Sequence, residues 1–281
     1  MNNKLLILGS SSFIGRYLSK KLDYNFEIFN HNSTLCNFLK KFEVKKFSKK
    51  FINYNYVIIT FSIRPEKINN LKTFQDNVKL IENFVEYFKN YKKLKVIFFS
   101  TIEVYQNSGY QINEKTKIRE NNLYAKSKII SEEILKNNFN KKSLTIFRLP
   151  GVYGYEDRYN STIGKLIRSA KKNQVIKIDN PELKRDYIFI SDVYKITYFF
   201  LKNNKSGIFN IVKGKSEKLE NIAKNIQKLT NCKIIFDNVD NNKGYNKKNN
   251  LIFNNSKLKK TMKKIIFTST KKGILKYLDK I

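Results

Sequence analysis

The strongest constraint on this chain is its alternation of short apolar runs with amphipathic helical patterns. Runs at Leu5–Leu8, Phe26–Phe29, Tyr56–Thr60, Lys95–Ser100 and Leu144–Arg148 are rich in β-branched and aromatic residues, the composition of buried strands. Helical patterns lie between them. In Thr73–Lys89, Phe74, Val78, Ile81, Val85 and Phe88 fall on one face. This alternation predicts an α/β fold, a doubly wound parallel sheet with helices on both faces. After Gly154 the rhythm changes to shorter elements and more polar loops. Helices are predicted at Ile163–Lys171, Asp192–Leu201, Leu219–Leu229 and Thr270–Leu278, and strands at Val175–Ile178, Gly207–Val212 and Lys233–Phe236. Asp237–Asn250, almost all Asn, Lys, Asp and Gly, reads as an exposed loop. The expected division is a sheet domain over 1–153, with strand and helix returns from the C-terminal part, and a smaller α/β substrate-binding region over 154–281.

Composition narrows the function classes. The 281 residues are 41% hydrophobic, enough for a globular core. No apolar run approaches the roughly 20 residues of a membrane span, and the chain opens into a strand pattern rather than a leader, so it is expected to be cytoplasmic. The two cysteines, Cys36 and Cys232, stand far apart without a CxxC pattern, so no metal site is expected. The one histidine, His31, lies in a polar turn and reads as a surface residue; hydrolase triads are poor candidates. A net charge of +33 suggests an anionic partner or compositional drift. The lysines are scattered and accompany no RNA-binding aromatic motif. Drift is therefore favoured, and nucleic acid is not the expected partner.

Gly9-Ser-Ser-Ser-Phe-Ile-Gly15 follows the first strand run and precedes the pattern Ile14, Leu18, Leu22. A strand–turn–helix junction presents backbone N–H groups and the positive helix end to an anion. Gly9 suits the tight turn and Gly15 close packing of helix on sheet. Ser12 occupies the middle position, tolerable if its φ is negative, where its hydroxyl could donate to a phosphate. Taken alone, the loop is described equally well as a serine-rich structural turn. At the end of the second strand, Phe29-Asn30-His31-Asn32-Ser33 carries neither a carboxylate for a ribose nor an arginine for a 2′-phosphate; Asn30 can still bond a ribose.

Tyr124 and Lys128 are spaced i,i+4 at the start of a helical pattern, so they share a face. An ammonium beside a phenol favours the phenolate and suits the tyrosine to acid/base work. By itself the pair also describes a solvated helix face. Ser100-Thr101, where a parallel strand opens into a ligand crevice, gives it a context. With these residues in order, the chain resembles the extended short-chain dehydrogenase/reductase superfamily, in its nucleotide-sugar-modifying epimerase/dehydratase branch. Gly9–Gly15 is similar to the GxxGxxG loop, Asp76-Asn77-Val78 to the Asn-Val helix motif, and Phe99-Ser-Thr-Ile-Glu-Val-Tyr105 to the strand end that carries the catalytic hydroxyl. Tyr124-Ala-Lys-Ser-Lys128 matches YxxxK, Arg148-Leu-Pro-Gly-Val-Tyr-Gly154 resembles R-x-x-N-V-Y-G, and Arg185-Asp-Tyr-Ile-Phe-Ile-Ser-Asp-Val193 matches R-D-[FY]-I-x-V-x-D-V.

The resemblance implies a Rossmann-type sheet and an NAD(P)-dependent nucleotide-sugar epimerase or 4-ketosugar reductase. Tyr124 would exchange a proton with a sugar oxygen, Lys128 would assist it and hold the nicotinamide ribose, and Thr101 would bond the same oxygen. Gly9, Ser12, Phe13, Ile14, Gly15, Asn30 and Lys128 would bind the cofactor, NAD or NADP with NAD favoured. Glu103 and Arg185 would contact a nucleotide-diphosphate sugar, Arg185 at the diphosphate. The local alternatives are that Glu103 only bonds the loop, that Arg185 pairs with Asp186 or Glu182, and that Ser191 caps a helix beginning at Asp192. Family members are often homodimers, which the chain leaves open. Departures from the family pattern are Ser12, the missing acid after the second strand, Gly151 in place of asparagine, and Ile59-Thr60-Phe61-Ser62 in place of a small pair. Ile102 before Glu103 cannot protonate a leaving hydroxide, which ranks 4,6-dehydration below epimerisation and reduction. The alternative from another class is a degenerate, non-catalytic member that binds nucleotide or RNA.

Overall fold

Strand β1 (Lys4–Leu8) is buried from Leu5 onward and lies inside a sheet, as its unbroken apolar run requires. The structure is a computed structural model and describes residues 3–63, 70–106, 111–120, 122–157, 161–236 and 250–281. After β1 come α1 (Phe13–Leu22), β2 (Glu27–His31), α2 (Lys41–Ser48), β3 (Tyr56–Ile59), α3 (Leu71–Phe88), β4 (Lys95–Thr101), α4 (Leu123–Asn138) and β5 (Leu144–Leu149). Next are β6 (Gly151–Tyr153), α5 (Thr162–Asn173), β7 (Val175–Ile178), β8 (Lys184–Arg185) and β9 (Tyr187–Phe189). Then follow α6 (Ile190–Lys202), β10 (Gly207–Asn210), β11 (Glu217–Lys218), α7 (Leu219–Thr230), β12 (Lys233–Phe236), α8 (Ser256–Met262) and α9 (Thr270–Leu278).

The chain divides into two compact units, one of 1–106, 117–148 and 194–209, the other of 107–116, 149–193 and 210–281. The first holds a six-stranded sheet in the order β10-β5-β4-β3-β1-β2. β1 runs parallel to β2 and β3, with Leu6 opposite both Phe29 and Val57, and β3 runs parallel to β4. The order reverses between β1 and β3, so the loops leaving those strands part and open a crevice at their carboxyl ends. This is the Rossmann-type α/β fold expected. In the second unit β6 pairs with β9 and β7 with β12 in parallel, and β8 pairs antiparallel with β11. Its core is built by Ile163 and Ile167 of α5, Ile222 and Ile226 of α7, and Ile274 and Tyr277 of α9. The polar stretch predicted as a loop at Asp237–Asn250 lies outside the described residues but for Asn250.

At two residues the fold departs from the sequence expectation. α6 starts at Ile190, which places Ser191 within the first turn and not at the cap. His31 is not a surface residue: it is 3% exposed at the end of β2. Its ring lies edge-on to Phe38 and Phe47, with centroids 5.0 and 5.1 Å away, and its Nε2 is 2.9 Å from the carbonyl of Cys36. The turn after β2 folds back so that Cys36 and Phe38 join the core cluster around Phe47 and Phe51.

A buried ion pair fastens α4 to the sheet. Arg148 of β5 donates from Nε to Glu132 Oε1 at 3.0 Å and from Nη2 to Oε2 at 2.5 Å. Ser100 of β4 donates its hydroxyl to the same Oε1 at 2.5 Å. Glu132 and Arg148 are 1% and 3% exposed, so each charge depends on the other for solvation. The guanidinium also lies 4.8 Å from the ring centroid of Tyr105.

Both features give measurable expectations. Glu132→Gln strips the carboxylate from a buried guanidinium and should cost about 3 kcal/mol or more in urea unfolding, while Ser100→Ala should cost about 1 kcal/mol. An unchanged midpoint for Glu132→Gln would show that the pair is not what holds the helix. For His31, burial lowers the pKa from its ordinary 6.5. Above that value the ring is neutral in both states; below it the unfolded chain takes up a proton before the native one does, so stability falls with falling pH. His31→Gln removes this term. Its stability deficit relative to the wild type should therefore shrink between about pH 7.5 and about pH 5.5, as measured by denaturant midpoints.

Candidate functional site

The loop between β1 and α1 is welded to its neighbours through backbone. Gly9 N, Ser10 N and the Ser10 hydroxyl all donate to the carbonyl of His31, at 3.1, 2.9 and 2.8 Å. Gly9 has φ +88°, and a Cβ there would stand 2.6 Å from Phe61 N. A Cβ on Gly15 would lie 2.2 Å from the Gly9 carbonyl oxygen. Both glycines are therefore demanded by close backbone approach. Ser12 has φ −70°, the sign its position requires. Its hydroxyl does not wait for a ligand, however. It accepts from Gly15 N at 3.0 Å, capping α1, and donates to Thr60 Oγ1 at 3.1 Å. Thr60 in turn reaches the carbonyls of Leu8 and Gly9, at 3.0 and 2.9 Å. The Ser12–Thr60 contact thus closes the loop over the ends of β1 and β3.

The backbone of the same loop fits an anion. Among the described residues, the N–H groups of Phe13 and Ile14 at the start of α1 find no protein acceptor, and the first turn carries no acid. Unsatisfied donors at the positive end of a helix suit a pyrophosphate. Asn30 is exposed at the end of β2, its Oδ1 accepting from Ser19 Oγ at 2.6 Å. These groups fit a dinucleotide cofactor, and nothing at β2 selects between a ribose hydroxyl and a 2′-phosphate.

Thr101 closes β4, buried, with its Oγ1 accepting from Glu103 N at 3.2 Å in a turn of 3₁₀ helix over Ile102–Val104. α4 rises alongside, with Asn122 capping it by accepting from Ala125 N at 2.8 Å. Tyr124 is half-buried one turn before the buried Lys128. Lys128 Nζ donates to the Phe99 carbonyl at 3.1 Å and lies 5.8 Å from the Tyr124 ring centroid and 4.8 Å from that of Phe98. The β4 backbone therefore holds the ammonium beside the phenol. Glu103 is exposed, and its Oε2 accepts from Asn122 Nδ2 at 3.0 Å, which ties the end of β4 to the cap of α4. Asn77 of α3 grips the backbone after β3, accepting from Ile63 N and donating to Ile63 O, both at 2.8 Å. A shallow cleft runs from the start of α3 to Tyr124, lined by Ile63, Thr73, Asn77 and Leu123 among others.

Thr101, Tyr124, Lys128 and Glu103 are thus gathered in the first unit, with the Gly9–Gly15 loop. Arg185 belongs to the second unit, on β8, where its Nη1 donates to the Lys184 carbonyl at 3.0 Å. Glu182 pairs with Lys218 at 2.7 Å, and Asp186 accepts from the N–H groups of Lys213, Gly214 and Lys215 at 3.0, 2.8 and 3.2 Å. Burial pushes the Asp186 carboxyl up to about 6, opposed by those N–H bonds and the Lys213 charge. Sequence reasoning missed Asn122, Thr60 and Glu132. Asn122 before Leu123 is a legible cap signal; the other two act through partners distant in sequence.

Comparison with known proteins agrees with this architecture. The profile of the NAD dependent epimerase/dehydratase family matches residues 5–212. The ADP-L-glycero-D-manno-heptose-6-epimerase of Brachyspira hyodysenteriae is 30% identical over 173 residues, 55% of this chain and 54% of that protein, so the match spans about half of that relative's length. The N-acetyl-alpha-D-glucosaminyl-diphospho-ditrans,octacis-undecaprenol 4-epimerase of Escherichia coli O157:H7 is 21% identical over 248 residues, 83% of this chain and 74% of its own. The crystal structure of dTDP-4-dehydrorhamnose reductase from Bacillus anthracis, in complex with NADP, superposes with a TM-score of 0.85 at 17% identity, covering all of both chains. The sheet order, the glycine loop and the extent of the family match lead to one assignment: the chain belongs to the NAD dependent epimerase/dehydratase family.

Proposed function

We propose that this chain is an NAD(P)-dependent enzyme acting on a nucleotide-diphosphate sugar, as a 4-epimerase or a 4-ketosugar reductase. The observation that carries this reading is the ammonium of Lys128, buried and bonded to the Phe99 carbonyl, 5.8 Å from the ring of Tyr124. A bland helix face gives no reason to bury a lysine there. A positive charge at this range stabilises a phenolate and lets the tyrosine exchange a proton with a sugar oxygen near neutral pH. Thr101 would donate its hydroxyl to the same oxygen and orient the sugar carbon. When bound, NAD(P) would supply the acceptor or donor of hydride. The N–H groups of Phe13 and Ile14, with Gly9, Ser12 and Gly15 shaping the loop, would hold its pyrophosphate, Asn30 a ribose, and Lys128 the nicotinamide ribose. Glu103 would touch the sugar while steadying the cap of α4, and Arg185 would meet the substrate diphosphate. No helix among the described residues is long and apolar enough to cross a membrane. The reading places the enzyme in the cytoplasm, with a homodimer compatible.

Tyr124→Phe should lower turnover of the nucleotide sugar about 10²- to 10⁴-fold while leaving NADH or NADPH binding, read by fluorescence titration, unchanged. Full turnover by this variant would overturn the assignment of the acid/base. Mass spectrometry of the purified protein separates the two activities: NAD carried through purification favours the epimerase, and an empty site that takes up NADPH favours the reductase.

A further inference from the structure

The charge of this chain is not spread evenly in its consequences. Between Ser256 and Leu278 there are eight lysines and no acidic residue. Lys259, Lys260, Lys263, Lys264, Lys271 and Lys272 are exposed and form no ion pair among the described residues. The basic stretch at Lys40–Lys50 is partly neutralised, Lys40 pairing with Glu43 and Lys41 with Glu86, while Lys45, Lys46, Lys49 and Lys50 are exposed. In the middle of the unpaired lysines, Ile266 is 85% exposed, an aliphatic side chain that water gives no reason to present.

The loop that carries Ile266 is clamped at both ends. At its start Lys263 has φ 55° and ψ −51°, in a γ-turn closed by Lys264 N donating to the Met262 carbonyl at 2.6 Å. A side chain at positive φ is strained, and such strain persists only where the surroundings impose it. At its end Thr268 donates from N to Asp192 Oδ2 at 2.7 Å and from its hydroxyl to Oδ1 at 3.0 Å. Asp192 is 1% exposed, so the clamp belongs to the core of the second unit. The loop therefore holds Ile266 outward, with Lys263 and Lys264 beside it, instead of letting it collapse onto the protein.

We propose that the Lys263–Thr268 loop, with the lysines of α8 and α9, is a peripheral docking surface for an anionic lipid bilayer. The lysines would engage headgroup phosphates and Ile266 would enter the interface below them. A nucleic acid would match the charge but not the aliphatic tip. Within Ser256–Leu278, Phe267 is half-buried and Tyr277 buried, so this stretch offers no exposed ring on which bases could stack. This surface goes beyond the proposed sugar chemistry and does not depend on which sugar is bound.

Flotation of the full chain with vesicles of phosphatidylglycerol in phosphatidylcholine tests it, with pure phosphatidylcholine as the uncharged reference. The wild type should float with the anionic vesicles only. Ile266→Ser, which leaves the charge unchanged, should weaken binding about tenfold, and Lys263→Gln/Lys264→Gln at least as much. The charge-matched control Lys92→Gln/Lys93→Gln, at two exposed lysines before β4, should stay within about twofold of the wild type. Equal binding by the Ile266→Ser, Lys263→Gln/Lys264→Gln and control proteins overturns the proposal and reduces the effect to net charge. Retention on polyuridylate that depends on the lysines and not on Ile266, without vesicle binding, overturns it in favour of nucleic acid. The circular-dichroism melting curve of each variant reports its fold and NADH titration reports the cofactor site, so failure of a folded protein to bind NADH bears on the proposed function alone.

Discussion

The placement of the Lys128 ammonium beside Tyr124, against the backbone of β4, depends here on one buried ion pair. Glu132 sits on α4 one turn beyond Lys128, and it joins Arg148 of β5 to Ser100 of β4, the residue before Thr101. Helix and strands are thereby locked at the depth where Lys128 Nζ meets the Phe99 carbonyl. A hydrophobic contact could hold the same elements together but would resist sliding and rotation less, because dispersion has no direction. The cost of burying two charges is offset only while both remain, which makes the site's geometry and its stability depend on the same atoms.

The phosphate-loop region shows a different economy. A glycine in the middle of the loop would leave an open backbone; here Ser12 fills the position and spends its hydroxyl on capping α1 and bonding Thr60. The departures at Ser12 and Thr60, separate in sequence, are two halves of one contact. What remains for an anion is main chain: the N–H groups of Phe13 and Ile14 at the helix start. Recognition by backbone tolerates side-chain change around it, provided Gly9 and Gly15 keep the chain close.

Much of this was legible in the residues. Hydrophobic periodicity located β7, β12 and α9 at their observed limits and the other long elements to within a few residues, because buried faces repeat with the period of the element. The spacing of Tyr124 and Lys128 placed them on one face, and the fourth strand pattern put Thr101 at the end of β4. The short helices α2 and α8 were not legible, since one or two buried anchors leave no period to detect. His31 was misjudged because its neighbours in sequence are polar, while its neighbours in space are Phe38 and Phe47.

By itself the sequence determined the class of fold, the strand–loop–helix junction and the residue types available for chemistry, all of which depend on local pattern and backbone sterics. Only tertiary structure decided which polar groups were committed and which were left over. It paired Glu132 with Arg148, turned the Ser12 hydroxyl to Thr60, buried His31, and held Ile266 outward between a strained turn and Asp192. Each of these joins residues that are not neighbours along the chain, and a hydrogen bond or a buried charge takes its value from the partner that folding brings to it.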